Sequence, residues 1–166
     1  ALSGPNLTNL RFFPVERLQC IESIGGDLYA IQNTTSTSAF ANLRNIGGDL
    51  YFAGNTGVTS LSLPSLATIG KDFILSGNTS LSALAAPKLT SARGLLVENG
   101  TALTAIDLPV LTGGSTFTLR LVGNPALATL DVPGLADAAR LEARNNGALS
   151  TCALRALMTR LGGPDD

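Results

Sequence analysis

The sequence predicts a mainly β chain wound as a right-handed parallel β-solenoid of about six coils and closed by a C-terminal helix. Three observations carry that prediction. The string Ile24-Gly25-Gly26-Asp27-Leu28 returns as Ile46-Gly47-Gly48-Asp49-Leu50 and as Ile69-Gly70-Lys71-Asp72-Phe73. Five residues after each Leu or Phe stands Asn33, Asn55 or Asn78, and the series continues through Gly100, Asn124 and Asn146 at spacings of 22, 23, 22, 24 and 22 residues. In the same register, nine residues after the ladder position, stand Pro64, Pro87, Pro109 and Pro133. Several markers that hold one period are the mark of stacked repeats, none of which buries its apolar face alone.

Each element follows from local pattern. Residues 1–23 read as an N-terminal cap that keeps only a trace of the repeat, in Leu10, Pro14, Leu18 and Ile21. Residues 24–150 read as the coils. Within a coil, Leu50-Tyr51-Phe52-Ala53-Gly54-Asn55 alternates apolar residues inward, the period of a strand with one buried face. Leu119-Arg120-Leu121 and Leu141-Glu142-Ala143 repeat that alternation. Leu61-Ser62-Leu63-Pro64 and Leu130-Asp131-Val132-Pro133 read as a second short strand that Pro ends, since Pro has no amide to donate. The Gly-Gly pairs ahead of the first strand are expected to reverse the chain with positive φ. The stacked Asn side chains are expected to satisfy turn backbone groups, because buried polar groups need partners.

The period changes at the C-terminus. Leu154, Leu157, Met158 and Leu161 stand at i, i+3, i+4 and i+7, which predicts an amphipathic helix over 151–161. Ser150 or Thr151 would cap its start, and Gly162-Gly163-Pro164 would end it. Such a helix covers the open end of the core and blocks edge-to-edge pairing.

Composition narrows the function classes. A length of 166 residues suggests one domain, 1–166. At 45% hydrophobic and 14% charged residues the chain is too apolar for disorder. Its apolar runs, such as Gly94-Leu95-Leu96-Val97, are too short to span a bilayer, and no signal-peptide pattern opens at Ala1. A net charge of −1 without a basic cluster, and 5% aromatics, argue against nucleic acid. The absence of His removes the commonest metal ligand and acid/base residue, and two Cys cannot make a zinc site alone. No catalytic residue, metal or cofactor is assigned.

The string Leu18-Gln19-Cys20-Ile21-Glu22-Ser23-Ile24-Gly25-Gly26-Asp27-Leu28-Tyr29 resembles the opening of receptor L domains, the leucine-rich-repeat-like solenoids that bind ligand in the insulin and EGF receptors. Leu61-Ser62-Leu63-Pro64-Ser65-Leu66-Ala67-Thr68-Ile69-Gly70 is still more similar to their fungal cell-wall and bacterial surface relatives. The resemblance spans roughly residues 7–161. It implies an extracellular or cell-surface protein, in the outer membrane or cell wall, and the Ala-, Arg- and Leu-rich composition suggests a bacterial source. Members of the family often pair the Cys matched by Cys20 with an earlier Cys, and none precedes it here. Either the chain was trimmed or Cys20 is a free buried thiol. A Cys20–Cys152 bridge is not expected, since five coils at about 4.8 Å separate the two by about 24 Å.

Function is expected where the coils differ. Outward positions of the first strand run Tyr29 and Ile31, Tyr51 and Ala53, Ile74 and Ser76, Leu96 and Glu98, Arg120 and Val122, Glu142 and Arg144. Tyr29, Ile31, Tyr51, Ile74 and Leu96 form an apolar strip, the candidate binding residues, and large apolar patches usually mark interfaces. Packing against residues 1–20, against another domain, or plain β-propensity are the alternatives. The expected activity is recognition or adhesion, with a protein, peptide or glycan as partner. A self-associating envelope protein, hence a homo-oligomer, is the alternative. A β-helix carbohydrate-active enzyme is the remote one, and ice binding is more distant, because the outward positions are irregular. Stacked carboxylates at Asp27, Asp49 and Asp72, and at Asp107 and Asp131, could hold Ca²⁺ or act as an acid/base pair, but read first as a solvated strand end. Sequons at Asn6, Asn33, Asn78 and Asn99 read as by-products of Asn-Thr turns.

Overall fold

Period-2 alternation builds the principal sheet. The computed structural model describes residues 10–11, 20–33 and 40–162; most of the expected cap, with Pro14, Leu18 and Asn6, and the expected stop Gly163-Pro164 lie outside the described residues. Strands β1 (Leu10–Arg11), β3 (Leu28–Ile31), β5 (Leu50–Ala53), β8 (Asp72–Ser76), β10 (Gly94–Glu98), β12 (Gly113–Val122) and β14 (Asp137–Arg144) form one seven-stranded parallel sheet in that order. A four-stranded sheet holds β6 (Ser60–Ser62), β9 (Ala83–Ala85), β11 (Ala105–Asp107) and β13 (Thr129–Asp131). A three-stranded sheet holds β2 (Ser23–Ile24), β4 (Asn45–Ile46) and β7 (Thr68–Ile69). All pairings are parallel, and the chain winds as a β-solenoid of about five turns, the intervals between its six ladder positions.

The core is one file of side chains per strand position. Leu28, Leu50, Phe73, Leu95 and Leu119 stack in register and are all buried, as are Ala30, Phe52, Leu75, Val97 and Leu121. Each fully buried Leu or Phe contributes about 1.5–3 kcal/mol. Ile24, Ile46 and Ile69 seal the third side from the short strands β2, β4 and β7, just ahead of the Gly-containing turns.

The two turns exchange the roles expected of glycine. The Gly-Gly pairs do not take positive φ. Instead, a Cβ on Gly47 would collide with the Gly25 carbonyl, and one on Gly70 with the Gly47 carbonyl, so close stacking of successive coils excludes a side chain there. Positive φ falls on the residue before each ladder position: Gln32, Gly54, Gly77, Asn99, Gly123 and Asn145, at 56° to 71°. Gly and Asn tolerate that left-handed turn, whereas Gln does so at a cost.

The ladder itself is as expected. The Asn55 carboxamide oxygen accepts from the Asn33 amide at 2.7 Å, and the Asn78 oxygen accepts from the Asn55 amide at 3.0 Å. The Asn124 oxygen accepts from the Gly100 amide at 2.9 Å, and the Asn146 oxygen from the Asn124 amide at 3.2 Å. Each Nδ2 then donates to a backbone carbonyl inside the coil, those of Ala30, Phe52, Val97 and Leu121. The 24-residue spacing before Asn124 is a bulge in β12, where register shifts between Gly114 and Thr118 and exposes Ser115 and Thr116.

Helix α1 (Thr151–Arg160) ends one residue short of the expected span, with Leu161 as its C-cap and Gly162 at φ 70° beyond. Leu157 and Leu161 are buried against the core. Ser150 holds the N-cap position but makes no side-chain capping bond, contrary to expectation. Among the described residues no helix is long and apolar enough to cross a membrane.

Candidate functional site

The outer face of the seven-stranded sheet brings the predicted strip together. Register pairs Tyr29 with Tyr51, Tyr51 with Ile74, Ile74 with Leu96, Leu96 with Arg120 and Arg120 with Glu142. Two residues along, Ile31, Ala53, Ser76, Glu98, Val122 and Arg144 form the parallel row. The Tyr29 and Tyr51 rings stack with centroids 4.7 Å apart and planes 3° apart. That spacing is the inter-strand distance, so each ring covers its neighbour's face and turns its edge to solvent.

The strip is therefore contiguous but partly self-shielded. Tyr29, Ile31, Tyr51, Ile74 and Leu96 are all half-buried. The large apolar residue that stands exposed among the described residues is Val110, at 41%, in a turn off this face. Sequence alternation identified which residues point out; it carried no signal for how far neighbouring rows would cover them.

A row of carboxylates borders the strip. These are not the solvated strand end that the sequence suggested. The Asp27 carboxylate accepts from the Asp49 amide, and the Asp49 carboxylate from the Asp72 amide, both at 2.8 Å. Tyr29 Oη donates to Asp27 Oδ2 at 3.3 Å, which ties the strip to this row. Lys71 Nζ lies 3.8 Å from Asp27 and 3.9 Å from Asp49. Asp72 takes both arms of the Arg93 guanidinium, at 2.8 and 3.2 Å. The amide bond from Asp49, with Lys71 and Tyr29 adding to it, holds the Asp27 carboxyl below its ordinary range against the opposing effect of burial. Burial, followed by the charge of Asp49, pushes the Tyr51 phenol up. The hydrogen bond to Asp72 raises the Arg93 guanidinium.

Beyond Leu96 the same face is charged. Arg120 Nε donates to Glu98 at 2.7 Å and its NH1 to Glu142 at 3.3 Å, while Arg140 reaches Glu142 at 3.1 Å. The second carboxylate stack lies elsewhere: Asp107 and Asp131 pair in register on β11 and β13, and both are exposed. Among the described residues no group of three or more Cys, Asp or Glu side chains is gathered as a metal site.

Cys20 and Cys152 are free thiols, and both are exposed. The buried thiol expected at Cys20 is thus corrected: it stands in a turn just ahead of β2, outside the core file that begins at Ile24. Of the sequons, Asn78 is buried in the ladder and Asn33 donates to Asn55, whereas Asn99 is exposed.

No protein-family model matches the chain, and neither a curated protein nor a solved structure matches it.

Proposed function

We propose that this chain is a cell-surface or secreted recognition module of the receptor L-domain type, which binds a protein, peptide or glycan through the outer face of its seven-stranded sheet. One observation carries the reading: Tyr29, Tyr51, Ile74 and Leu96 stand on four adjacent strands in one uninterrupted register row, bounded by ion pairs where the row turns charged. A rigid parallel sheet displays such a row with little change of shape on binding. Edge-on aromatic rings offer apolar contact, and their hydroxyls offer hydrogen bonds, to a partner. Recognition is favoured over catalysis because Asp27, Asp49 and Asp72 are committed to backbone amides and cations.

The test is the double variant Tyr29→Ser, Tyr51→Ser, compared with wild type on a glycan array and in capture from native cell surfaces. The core files lie on the opposite face of the sheet, so the variant is expected to fold, checked by its melting curve. Loss of captured partner or glycan supports the reading, and unchanged binding by a folded variant removes it. Light scattering on both proteins separates self-association, which alone predicts assembly that grows with concentration.

A further inference from the structure

The last strand of the four-stranded sheet differs from those before it. At the centre of each strand, Leu61, Leu84 and Ile106 are 1%, 1% and 0% exposed, while Leu130 on β13 is only partly covered. Hydrogen bonding stops at the same place. The amides of Leu63, Ala86 and Leu108 donate to the next coil, at Ala85, Asp107 and Asp131, over 2.9, 3.1 and 2.9 Å. Among the described residues the equivalent amide of Val132 meets no next coil, because β13 is the edge of its sheet. Helix α1 does not fill the gap. A groove of about 280 Å³ remains between the strand and the helix, lined by Leu130, Val132, Leu149, Leu154 and Leu157. Arg160 ties the helix to the strand by donating to the Val132 carbonyl at 2.8 Å.

Charge adds a second condition. Asp107 and Asp131 are register partners on adjacent strands, so their carboxylates project side by side from the outer surface. Neither has an ion-pair partner among the described residues. A residue added opposite Asp131 would extend that row, and a cation there is the complement of two adjacent like charges.

The geometry points to an occupant: we propose that β13 accepts an extended peptide segment of a partner protein, added parallel and in register as the strand of a further coil, with apolar–basic–apolar alternation. Its first apolar side chain stands opposite Leu130 and enters the groove. Its basic residue points outward to Asp131, its backbone supplies the acceptor that the Val132 amide lacks, and its following amide takes the Val132 carbonyl in place of Arg160. Strand addition of this kind takes affinity from main-chain bonds and specificity from alternate side chains. This edge is separate from the Tyr29–Leu96 strip, and the proposal stands whether or not that strip binds.

The test uses the whole chain and two peptides carrying fluorescein on the N-terminal amine, Ser-Leu-Lys-Val-Ser-amide and its Lys-to-Glu counterpart. Saturable polarisation is expected with the Lys peptide, together with slowed hydrogen exchange at the Val132 amide. The Glu peptide should bind about tenfold more weakly, and Asp131→Lys, an exposed change that does not lower the melting temperature, should reverse that preference. Leu130→Asp should abolish binding of either peptide; if it does not fold, the Asp131→Lys reversal decides alone. No saturable binding up to about 1 mM peptide, equal affinity of the two peptides for both proteins, or exchange protection on the tyrosine strip instead of at Val132 would each overturn the proposal.

Discussion

The outer face of the seven-stranded sheet has two halves that share one backbone and differ in chemistry. From β3 to β10 the central row is Tyr29, Tyr51, Ile74 and Leu96; on β12 and β14 it is Arg120 and Glu142. The inward row beneath stays apolar throughout, buried from Leu28 to Leu119 and partly covered at Leu141 on the last strand. The turn that follows is carried by ladder carboxamides in both halves, Asn55 and Asn78 in one, Asn124 and Asn146 in the other. Stability is thus built inside and at the turns. The outer row varies from coil to coil over an unbroken register, and on the proposed reading its divergence is where a partner is recognised.

That comparison requires the ladder to matter equally under both halves, which sets the largest expected effect. Asn55→Ala and Asn124→Ala should each destabilise by about 2–4 kcal/mol in denaturant titration, since each removes a buried donor and acceptor and orphans backbone groups. Asn55 accepts from both the amide and the Nδ2 of Asn33, whereas Asn124 accepts from the amide of Gly100. Asn55→Ala should therefore cost slightly more. A loss confined to one half would show that the two are not one scaffold.

Much of this scaffold was legible in the sequence because it repeats. The Asn ladder, the Pro-ended strands and the outward rows could be read by aligning the chain with itself. What escaped were features set by the distance between coils. The Gly-Gly pairs look like turn glycines, yet Gly47 and Gly70 are glycines because the coil beneath leaves no room for a Cβ. The two-residue strands at Ile24, Ile46 and Ile69 are too short to show alternation. Asp27, Asp49 and Asp72 were visible as a stack, but the acceptance of the next coil's amide by Asp27 and Asp49 depends on side-chain direction, which no spacing encodes. For the candidate site, alternation named the members of the strip but not their mutual shielding.

A smaller effect tests whether the charged half is held by its charges. Arg120 and Glu98 are each about a third exposed, so their attraction is screened by water. Arg120→Leu should change stability by no more than about 1 kcal/mol at low salt, and by less at high salt, where the wild-type pair is itself screened. Glu142 would keep Arg140 and Arg144 as partners. The same substitution extends the apolar row by one strand. A destabilisation well beyond that range, persisting in high salt, would mean that the outer row of this half helps to hold the fold and is not free to vary.

The smallest effect separates burial in the apolar half from mere adjacency. Desolvation raises the Tyr51 phenol above its ordinary value, so the folded state holds the proton more tightly than the unfolded chain does. That contribution is fully present below about pH 10 and is lost as pH rises through the raised value. Tyr51→Phe removes it, so the melting temperature of the variant should fall less steeply than that of wild type above about pH 10. Asp27 has the opposite sign: its lowered carboxyl stabilises above about pH 4 and loses that contribution as pH falls through the folded value. Asp27→Asn, which keeps an acceptor for the Asp49 amide, should flatten the acid limb alone. Coincident alkaline limbs for wild type and Tyr51→Phe would mean that the ring stacked on Tyr29 is as wet in the fold as in the unfolded chain, and the strip would lose the partial burial that distinguishes it from the charged half.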